Sequence, residues 1–349
     1  MKEHTHVINR AALLACALGV ALLAPPAHRA ARADAGVNGP VLAIVGFRGE
    51  GLPSPYFSLV AVGARGVTVL ARQIPNTFVG LAPSPRGRYV AIAGGITGLW
   101  EADADGAHLH RAPSPPAADG HGVASVTAVA WSPDRYTLAY TLDGGRDGDG
   151  IYLARYDGTG QRLLMSAARL GAALGPHVRR LSFRRLSWSA DGRMIAVTVV
   201  DAESTAATTA ALLVDAAAGR VRGRIPDVIE AAYSPTAPAL AYLAPAPIRV
   251  QGRPVVGFTL SVADATGQHP RALFSTAHFV STGPVWSPDG AGLAYTWSPG
   301  TVAQPSYGSE LEIHAIDVAT AVVRTLATGP GPSLNGEDFL ALAWLHTKE

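Results

Sequence analysis

Three observations predict an all-β fold built from repeated four-stranded units. The 349-residue chain contains 38 Gly and 26 Pro, which suits many short strands joined by turns. Its residues are 48% hydrophobic and 15% charged, so enough apolar surface exists for a packed core, and this argues against a disordered chain. In addition, one short sequence pattern recurs along the chain at intervals of roughly 50 residues.

The first 35 residues are predicted to be a secretory signal peptide. Lys2 and Arg10 form a positive segment, Ala11–Ala24 is apolar, and Ala33-Asp34-Ala35 is a small-x-small site for cleavage after Ala35. The apolar run is too short for a helix that spans roughly 30 Å of hydrocarbon. Retention as an N-terminal anchor is the alternative. We therefore expect an exported protein, either periplasmic or extracellular.

Cys16 is the single cysteine of the chain, and it lies within this segment. Leu13-Leu14-Ala15-Cys16 resembles a bacterial lipobox, so lipid anchoring through Cys16 is an alternative to cleavage at Ala35. Cleavage leaves a chain without cysteine, which excludes disulfides, zinc–thiolate sites and cysteine nucleophiles. It also removes four of the 28 basic and two of the 26 acidic residues. The remainder has 24 of each, and this neutral balance disfavours nucleic acid as a partner.

A repeated opening pattern predicts the domain organisation. Each copy has an apolar stretch, an aromatic residue and a turn. Clear copies are Val129–Asp134, Leu186–Gly192, Ala231–Pro235 and Pro284–Gly290, with a degenerate copy at Leu81–Gly87. Successive aromatic residues are 57, 45 and 53 positions apart, which is the size of a four-stranded propeller blade. Second, third and fourth β-rich segments follow each opening, so five complete blades are predicted.

The two ends of the chain are predicted to share a sixth blade. Val41–Gly46, Phe57–Val62 and Val67–Ala71 match second, third and fourth strands, with no first strand before them. Leu340–Leu345 matches a first strand that has no successors. The C-terminal strand should therefore pair into the N-terminal blade and leave no unpaired sheet edge between the ends. Residues 40–349 then form a single six-bladed β-propeller domain.

The repeats resemble those of TolB-type six-bladed β-propellers. Trp-Ser-Pro-Asp-Gly openings, Leu-Ala-Tyr-Thr second strands and Asp-x-x-Gly turns at Asp103, Asp157 and Asp264 carry the resemblance, over roughly residues 40 to 349. TolB proper has an additional N-terminal α/β domain, for which the segment before the first strand is too short. The prolyl-oligopeptidase and dipeptidyl-peptidase relatives carry a hydrolase domain that is also missing. The resemblance therefore implies a stand-alone propeller.

Motifs of common enzymes are missing after residue 35. We find no G-x-S-x-G elbow, H-E-x-x-H helix, phosphate loop or C-x-x-C pair. The predicted first strands also contain no acids, except for Glu230 in its blade. A glycosidase would need two carboxyl groups about 5 to 10 Å apart, and a propeller lactonase would need a calcium site on the channel axis. We expect no catalytic residue and no cofactor, and a secreted metal-dependent lactonase or glycosidase-like hydrolase is the alternative.

Two clusters have some features of metal sites. Asp143–Gly150 has alternate acids like a calcium loop, but Ala154 stands where an EF-hand needs its bidentate Glu. His108 and His110 share one strand face, without a third ligand at a fixed spacing. Three acids lie nearby: Glu101, Asp103 and Asp105. We interpret the first cluster as a solvated hairpin loop and the second as an exposed outer strand, and we predict no metal site.

Strand order separates two faces of the predicted disc. Connections between strands one and two, and between three and four, lie on one face and are short and uniform. All other connections lie on the opposite face and are long and variable: Arg48–Tyr56, Pro113–Ser125, Ser166–Arg179, Asp201–Thr208, Ala244–Gly257, Trp297–Ser309 and Gly329–Asp338. Variable loops on a rigid scaffold usually carry binding sites. Arginine, histidine and aromatic residues suited to an interface are the candidate contributors: Arg146, Arg179, Arg249, Arg253, His278, Trp297 and Tyr307.

These features favour an exported, non-catalytic module that binds a protein or peptide at the cell envelope. We expect the mature chain to be monomeric and to have no transmembrane span. A structural scaffold, with a neighbouring domain of a complex as its partner, is a third interpretation. Propellers include both binding proteins and enzymes, so the fold alone does not choose between these functions.

Overall fold

The structure, a computed structural model, describes eleven segments of the chain. They are residues 38–47, 56–63, 66–74, 77–113, 124–143, 148–178, 180–203, 208–280, 282–301, 312–328 and 339–346. The predicted signal peptide at residues 1–35, with Cys16, lies outside them. Within the described residues the regular structure is β except for one helix, so the predicted all-β class is confirmed.

The strands form six sheets, and five of them contain only strands that are consecutive in the chain. Blade 1 contains β25 (Phe339–His346), β1 (Asn38–Phe47), β2 (Tyr56–Gly63) and β3 (Gly66–Ile74). Blade 2 contains β4 (Gly80–Pro83), β5 (Tyr89–Ala93), β6 (Leu99–Asp103) and β7 (His110–Arg111). Blade 3 contains β8 (Ser125–Trp131), β9 (Thr137–Asp143), β10 (Gly150–Arg155) and β11 (Arg162–Ser166).

The other three blades repeat this arrangement. Blade 4 contains β12 (Leu181–Trp188), β13 (Met194–Asp201), β14 (Thr209–Asp215) and β15 (Arg220–Pro226). Blade 5 contains β16 (Glu230–Tyr233), β17 (Ala239–Val250), β18 (Arg253–Asp264) and β19 (Arg271–Thr276). In blade 6 the first strand is split into β20 (His278–Phe279) and β21 (Val285–Trp286), and both pair with β22 (Gly292–Thr301), which is followed by β23 (Glu312–Asp317) and β24 (Val323–Thr328).

The first strands of the six blades form an inner ring. Each contacts the first strand of the blades on either side, from β4 through β8, β12, β16 and β21 to β25. The pairing of β25 with β1 closes blade 1, with Val41 opposite Trp344 and Leu42 opposite Ala343. The Trp344 indole Nε1 also donates to the Gly39 carbonyl at 2.9 Å. Both the six-bladed fold and its closure by the C-terminal strand are therefore confirmed.

The hydrophobic core is divided among the interfaces between blades. Six clusters of buried residues are found in the described chain, and each combines side chains from two neighbouring blades. In β25, Leu342 and Trp344 pack in the cluster with blade 6, whereas Ala343 and Leu345 pack in the cluster with blade 2. Alternate side chains of a strand point to opposite faces, so one strand contributes to two interfaces.

The turns between first and second strands repeat one hydrogen-bond pattern. In blade 4 the Ser189 hydroxyl donates to the Asp191 carboxylate at 2.7 Å and accepts from the Met194 amide at 2.9 Å. Gly192 then has a φ of 70°, in the left-handed region that glycine adopts without strain. The equivalent positions are Gly290 in blade 6, with a φ of 72°, and Arg135 in blade 3, with a φ of 71°.

Two segments that the sequence analysis took for loops are regular structure. Within Ser166–Arg179, helix α1 spans Ala167–Leu174, with Ser166 as its N-cap and Leu170 and Leu174 buried between blades 3 and 4. Within Ala244–Gly257, most residues belong to the long hairpin of β17 and β18. Within the described ranges, no helix is long and apolar enough to cross a membrane.

Removal of β25 should destabilise the whole propeller. We expect deletion of residues 339–349 to lower the free energy of unfolding by more than about 5 kcal/mol, because Leu342, Trp344 and Leu345 leave two interfaces at once. Deletion of residues 347–349 alone is the matched control and should leave the urea midpoint unchanged. Equal midpoints for the two truncated chains would contradict closure through β25.

Two turn glycines should differ in their tolerance of alanine. At Gly192 an added Cβ meets nothing closer than Pro133, at 4.0 Å, so Gly192→Ala should cost about 1 kcal/mol through its positive φ alone. At Gly290 the same Cβ would also overlap the Thr236 hydroxyl, and we expect a total cost of about 2–4 kcal/mol. Urea unfolding of both variants measures the difference, and equal costs would argue against the described packing of this turn.

Candidate functional site

A cavity of about 360 Å³ lies on the axis of the ring, and all six blades line it. We call it the channel cavity. Its lining comes from the ends of the first strands and from the turns that follow them, so it belongs to the face of the disc that carries these turns, the turn face. Aromatic residues at equivalent positions of five blades form much of its wall: Trp131, Trp188, Tyr233, Trp286 and Trp344.

An ion pair beside the channel cavity connects three blades. The Arg185 guanidinium of β12 donates through Nη1 to the Glu230 carboxylate of β16 at 3.0 Å. The same carboxylate oxygen accepts from the backbone amide of Gly283, which precedes β21, at 3.2 Å. Burial raises the pKa of Glu230, and the Arg185 charge opposes that rise.

We call the opposite face of the disc the loop face. Seven residues singled out from the sequence are expected there, and the structure describes four of them. Arg146, Arg179 and Tyr307 lie outside the described residues. Arg249 and Arg253 are exposed on the β17–β18 hairpin, where the Arg249 Nη1 donates to the Gly252 carbonyl at 3.0 Å. A role for these side chains in binding stays a prediction.

The structure brings His278 and Trp297 together on blade 6. Their ring centroids are 4.7 Å apart and the rings are tilted by 44°, and the Trp297 ring also stacks against His314 with a centroid distance of 5.3 Å. His314 is buried, and its Nε2 lies 2.5 Å from the Glu312 carboxylate. Contacts with both imidazoles position the half-buried Trp297. Sequence analysis missed His314 and Glu312 because their spacing along β23 matches no motif.

The outer part of the β17–β18 hairpin projects from blade 5. Residues 246–250 pair with residues 253–257, and among the described strands no third strand pairs with them. We call this two-stranded segment the arm. Val256 on the arm is 60% exposed, and Phe279 near its base is 45% exposed. Phe279 packs edge-on against Phe258 at 5.8 Å, so the arm and β20 form one continuous surface.

The side chains of the two clusters with features of metal sites interact with one another or with the backbone. The His108 Nδ1 lies 2.7 Å from the Asp103 carboxylate, which raises the pKa of His108, and the His110 Nδ1 bonds to the His108 carbonyl at 2.8 Å. Of the acidic loop, Asp143 and Asp149 are described, and burial followed by the charge of Asp149 raises the pKa of Asp143. Among the described residues, no group of three candidate ligands converges.

The chain matches no protein-family model and no curated protein in sequence. Similarity to solved structures is clear. A protein from Agrobacterium tumefaciens with the name "putative TolB" matches with a TM-score of 0.54 and 15% identity, over 88% of this chain and 99% of that chain. The fold is a TolB-like six-bladed β-propeller. At 15% identity, this similarity establishes the TolB-like fold and leaves the function open.

Two further solved structures match this TolB-like propeller with lower TM-scores. Hydrazine synthase from Kuenenia stuttgartiensis matches with a TM-score of 0.45 and 15% identity, over 74% of this chain and 72% of that chain. An oligogalacturonate lyase from Vibrio parahaemolyticus matches with a TM-score of 0.44 and 11% identity, over 84% of this chain and 74% of that chain. Similarities of this strength do not bear on the chemistry of the TolB-like chain.

Glu101 should make the stability of blade 2 depend on pH. Burial raises its pKa above the ordinary 4.5, with His110 opposing, and its Oε1 has no hydrogen-bond partner among the described residues. A raised pKa in the folded state favours the native protein below pH 4.5, and this contribution is lost as the pH rises through the folded-state pKa. We therefore expect Glu101→Gln to match the wild type at pH 4 and to be more stable at pH 8.

The matched control for Glu101 is the exposed Glu203. Glu203→Gln should leave the free energy of unfolding unchanged at both pH values. Urea titrations of the three proteins at pH 4 and pH 8 make the comparison. A stability difference for Glu101→Gln that is the same at both pH values would mean that the Glu101 carboxyl is not held in its neutral form by burial.

Proposed function

We propose that the chain is an exported, non-catalytic module that binds a protein or peptide at the cell envelope through its loop face. The arm is the observation that carries this proposal. It extends a two-stranded segment with exposed apolar and basic side chains from a rigid six-bladed scaffold. A feature of this kind contributes little to the core, and it suits contact with a second macromolecule.

Side-chain chemistry of the arm indicates how a partner would be recognised. Pro247 and Pro254 have no backbone N–H, and proline at a strand edge opposes the addition of a further strand. Recognition by side chains is therefore favoured over strand addition. Arg249 and Arg253 are the charged residues of the arm, which has no acid. The complementary partner surface carries carboxylates around an apolar centre that accepts Val256 and Phe279.

Export is part of the same proposal and rests on residues 1–35. The positive start, apolar run and small residues at Ala33–Ala35 support cleavage after Ala35. Mass spectrometry of the N-terminus of the protein from an envelope fraction tests this. A mature chain that begins at Gly36 supports the proposal, a lipid-modified Cys16 would replace cleavage by anchoring, and an intact Met1 in the cytoplasmic fraction would contradict export.

Charge reversal on the arm tests the binding function. The purified Arg249→Glu/Arg253→Glu variant should capture its partner from an envelope extract at least about tenfold less than the wild type, because two complementary contacts become repulsive. The matched control is Arg162→Glu/Arg224→Glu, which reverses two exposed charges on the outer strands of blades 3 and 4. Quantitative mass spectrometry of the captured proteins compares the three samples. Equal capture by all three would exclude the arm as the binding surface.

A further inference from the structure

The channel cavity has the composition of a small-molecule site. Its wall combines the five aromatic side chains with prolines of the turns, among them Pro85, Pro133 and Pro288. Its volume of about 360 Å³ lies at the lower end of the range for pockets that hold small ligands. A flat apolar body fits such a wall, because aromatic rings pack against one another by stacking or edge-on contact.

Charged residues in the lining are all cationic or titrate to cations. Arg135, Arg185 and His346 line the cavity, and no Asp or Glu is among its described lining residues. Hydrogen bonds between an arginine and a carboxylate are stronger than those between neutral groups. Arg185 is paired with Glu230, so Arg135 supplies the positive charge without an acidic partner among the described residues, and the cavity favours an anion over a cation.

The bond to Glu230 holds the Arg185 side chain beside the cavity, where it could bind an anion. Glu230 accepts one bond from its Nη1, and among the described residues no other acceptor contacts the guanidinium. The guanidinium group has five N–H donors. Glu230 therefore fixes the side chain and leaves further donors for a ligand.

Arg135 departs from the repeat at the rim of the cavity. It stands where Gly192 and Gly290 stand in their blades, and it adopts the same left-handed backbone conformation, with a φ of 71°. That conformation is unfavourable for a residue with a Cβ. Its side chain is exposed at the cavity rim rather than packed in the core, so stability does not explain an arginine at this position.

Among the described residues, two of the four tryptophans in the cavity wall have an indole N–H without a hydrogen-bond acceptor. The Trp286 Nε1 donates to the Ala232 carbonyl at 2.8 Å, and Trp344 bonds to Gly39. Trp131 and Trp188, in contrast, are buried, and their Nε1–H groups have no acceptor in the described part of the chain. Buried donors without partners are rare in folded proteins, and a bound water or ion is one of their explanations.

We propose that the channel cavity binds a small organic anion with a planar apolar body and one carboxylate. The apolar body packs against the aromatic wall, and the carboxylate is attracted by the guanidinium groups of Arg185 and Arg135, which both line the cavity. This site lies on the turn face, and it is independent of the arm on the loop face. Four of the six tryptophans of the chain line the cavity, so binding should change the intrinsic fluorescence.

Naphthalene-2-carboxylate and its neutral amide are the matched probes. Titration of the purified full-length protein, followed by calorimetry and tryptophan fluorescence, should show binding of the carboxylate at least about tenfold tighter than the amide, because the amide loses its charge-assisted hydrogen bonds. Equal affinities for the two probes, or no binding of either, would overturn the proposal.

Arg135→Gly is the decisive variant, because glycine is the residue of the equivalent turns and the change removes the charge without disturbing the fold. We expect about a tenfold loss of affinity for the carboxylate and an unchanged urea midpoint or a higher one. Arg185→Gln/Glu230→Gln, which replaces both members of the ion pair, should abolish binding of the carboxylate. The matched control, Arg162→Gln on the outer strand of blade 3, should bind it as the wild type does.

Failure of this site and failure of the arm are distinguishable. The Arg249→Glu/Arg253→Glu variant should bind naphthalene-2-carboxylate with wild-type affinity. If Arg135→Gly and the double variant at positions 185 and 230 both bind the carboxylate like the wild type, the anion does not occupy the channel cavity. The proposal would then be wrong, whatever the result of the capture experiment.

Discussion

Every blade of this protein depends on both of its neighbours. A four-stranded sheet with two apolar faces has no stable form in water unless both faces are covered. The six hydrophobic clusters are six such contacts, and no single cluster belongs to one blade. The core is thus a closed circle of interfaces. This ring of interfaces depends on the pairing of β25 with β1, because β25 supplies side chains to the clusters on either side of blade 1.

This closed circle explains why the two faces of the disc differ. On the turn face, Ser, Asp and Gly form the same hydrogen-bonded turn after the first strands of blades 4 and 6, and blade 3 differs by having Arg135 in place of the Gly. On the loop face, the described connections differ from one another: the one after blade 3 contains helix α1, and the one within blade 5 forms the arm. The scaffold therefore tolerates different insertions on the loop face, whereas a departure on the turn face, such as Arg135, stands out against a repeated background.

The repeated sequence pattern of the blades made the fold predictable. The residues of the candidate site follow no repeated pattern, so the sequence did not predict the site. Five copies of one opening and the incomplete ends were enough for the number of blades and for the closure. Helix α1 was missed, although Ser166 followed by Leu170 and Leu174 at helical spacing was a signal for a capped helix. The Arg185–Glu230 pair and the channel cavity had no such signal, because they join residues about 45 or more positions apart that only the ring brings together.

Closure through β25 also imposes an order on biosynthesis. Strand β1 emerges from the ribosome early, with Val41–Val45 ready to pair on both of its edges, and its partner β25 follows about 300 residues later. Until then, one edge of β1 lacks its partner strand, and the face of blade 1 that packs against blade 6 stays uncovered until blade 6 is made. Exposed edges of this kind favour intermolecular association. The ring can form only after synthesis of the last strand. The unpaired edge of β1 is therefore open to intermolecular pairing until β25 has been synthesised.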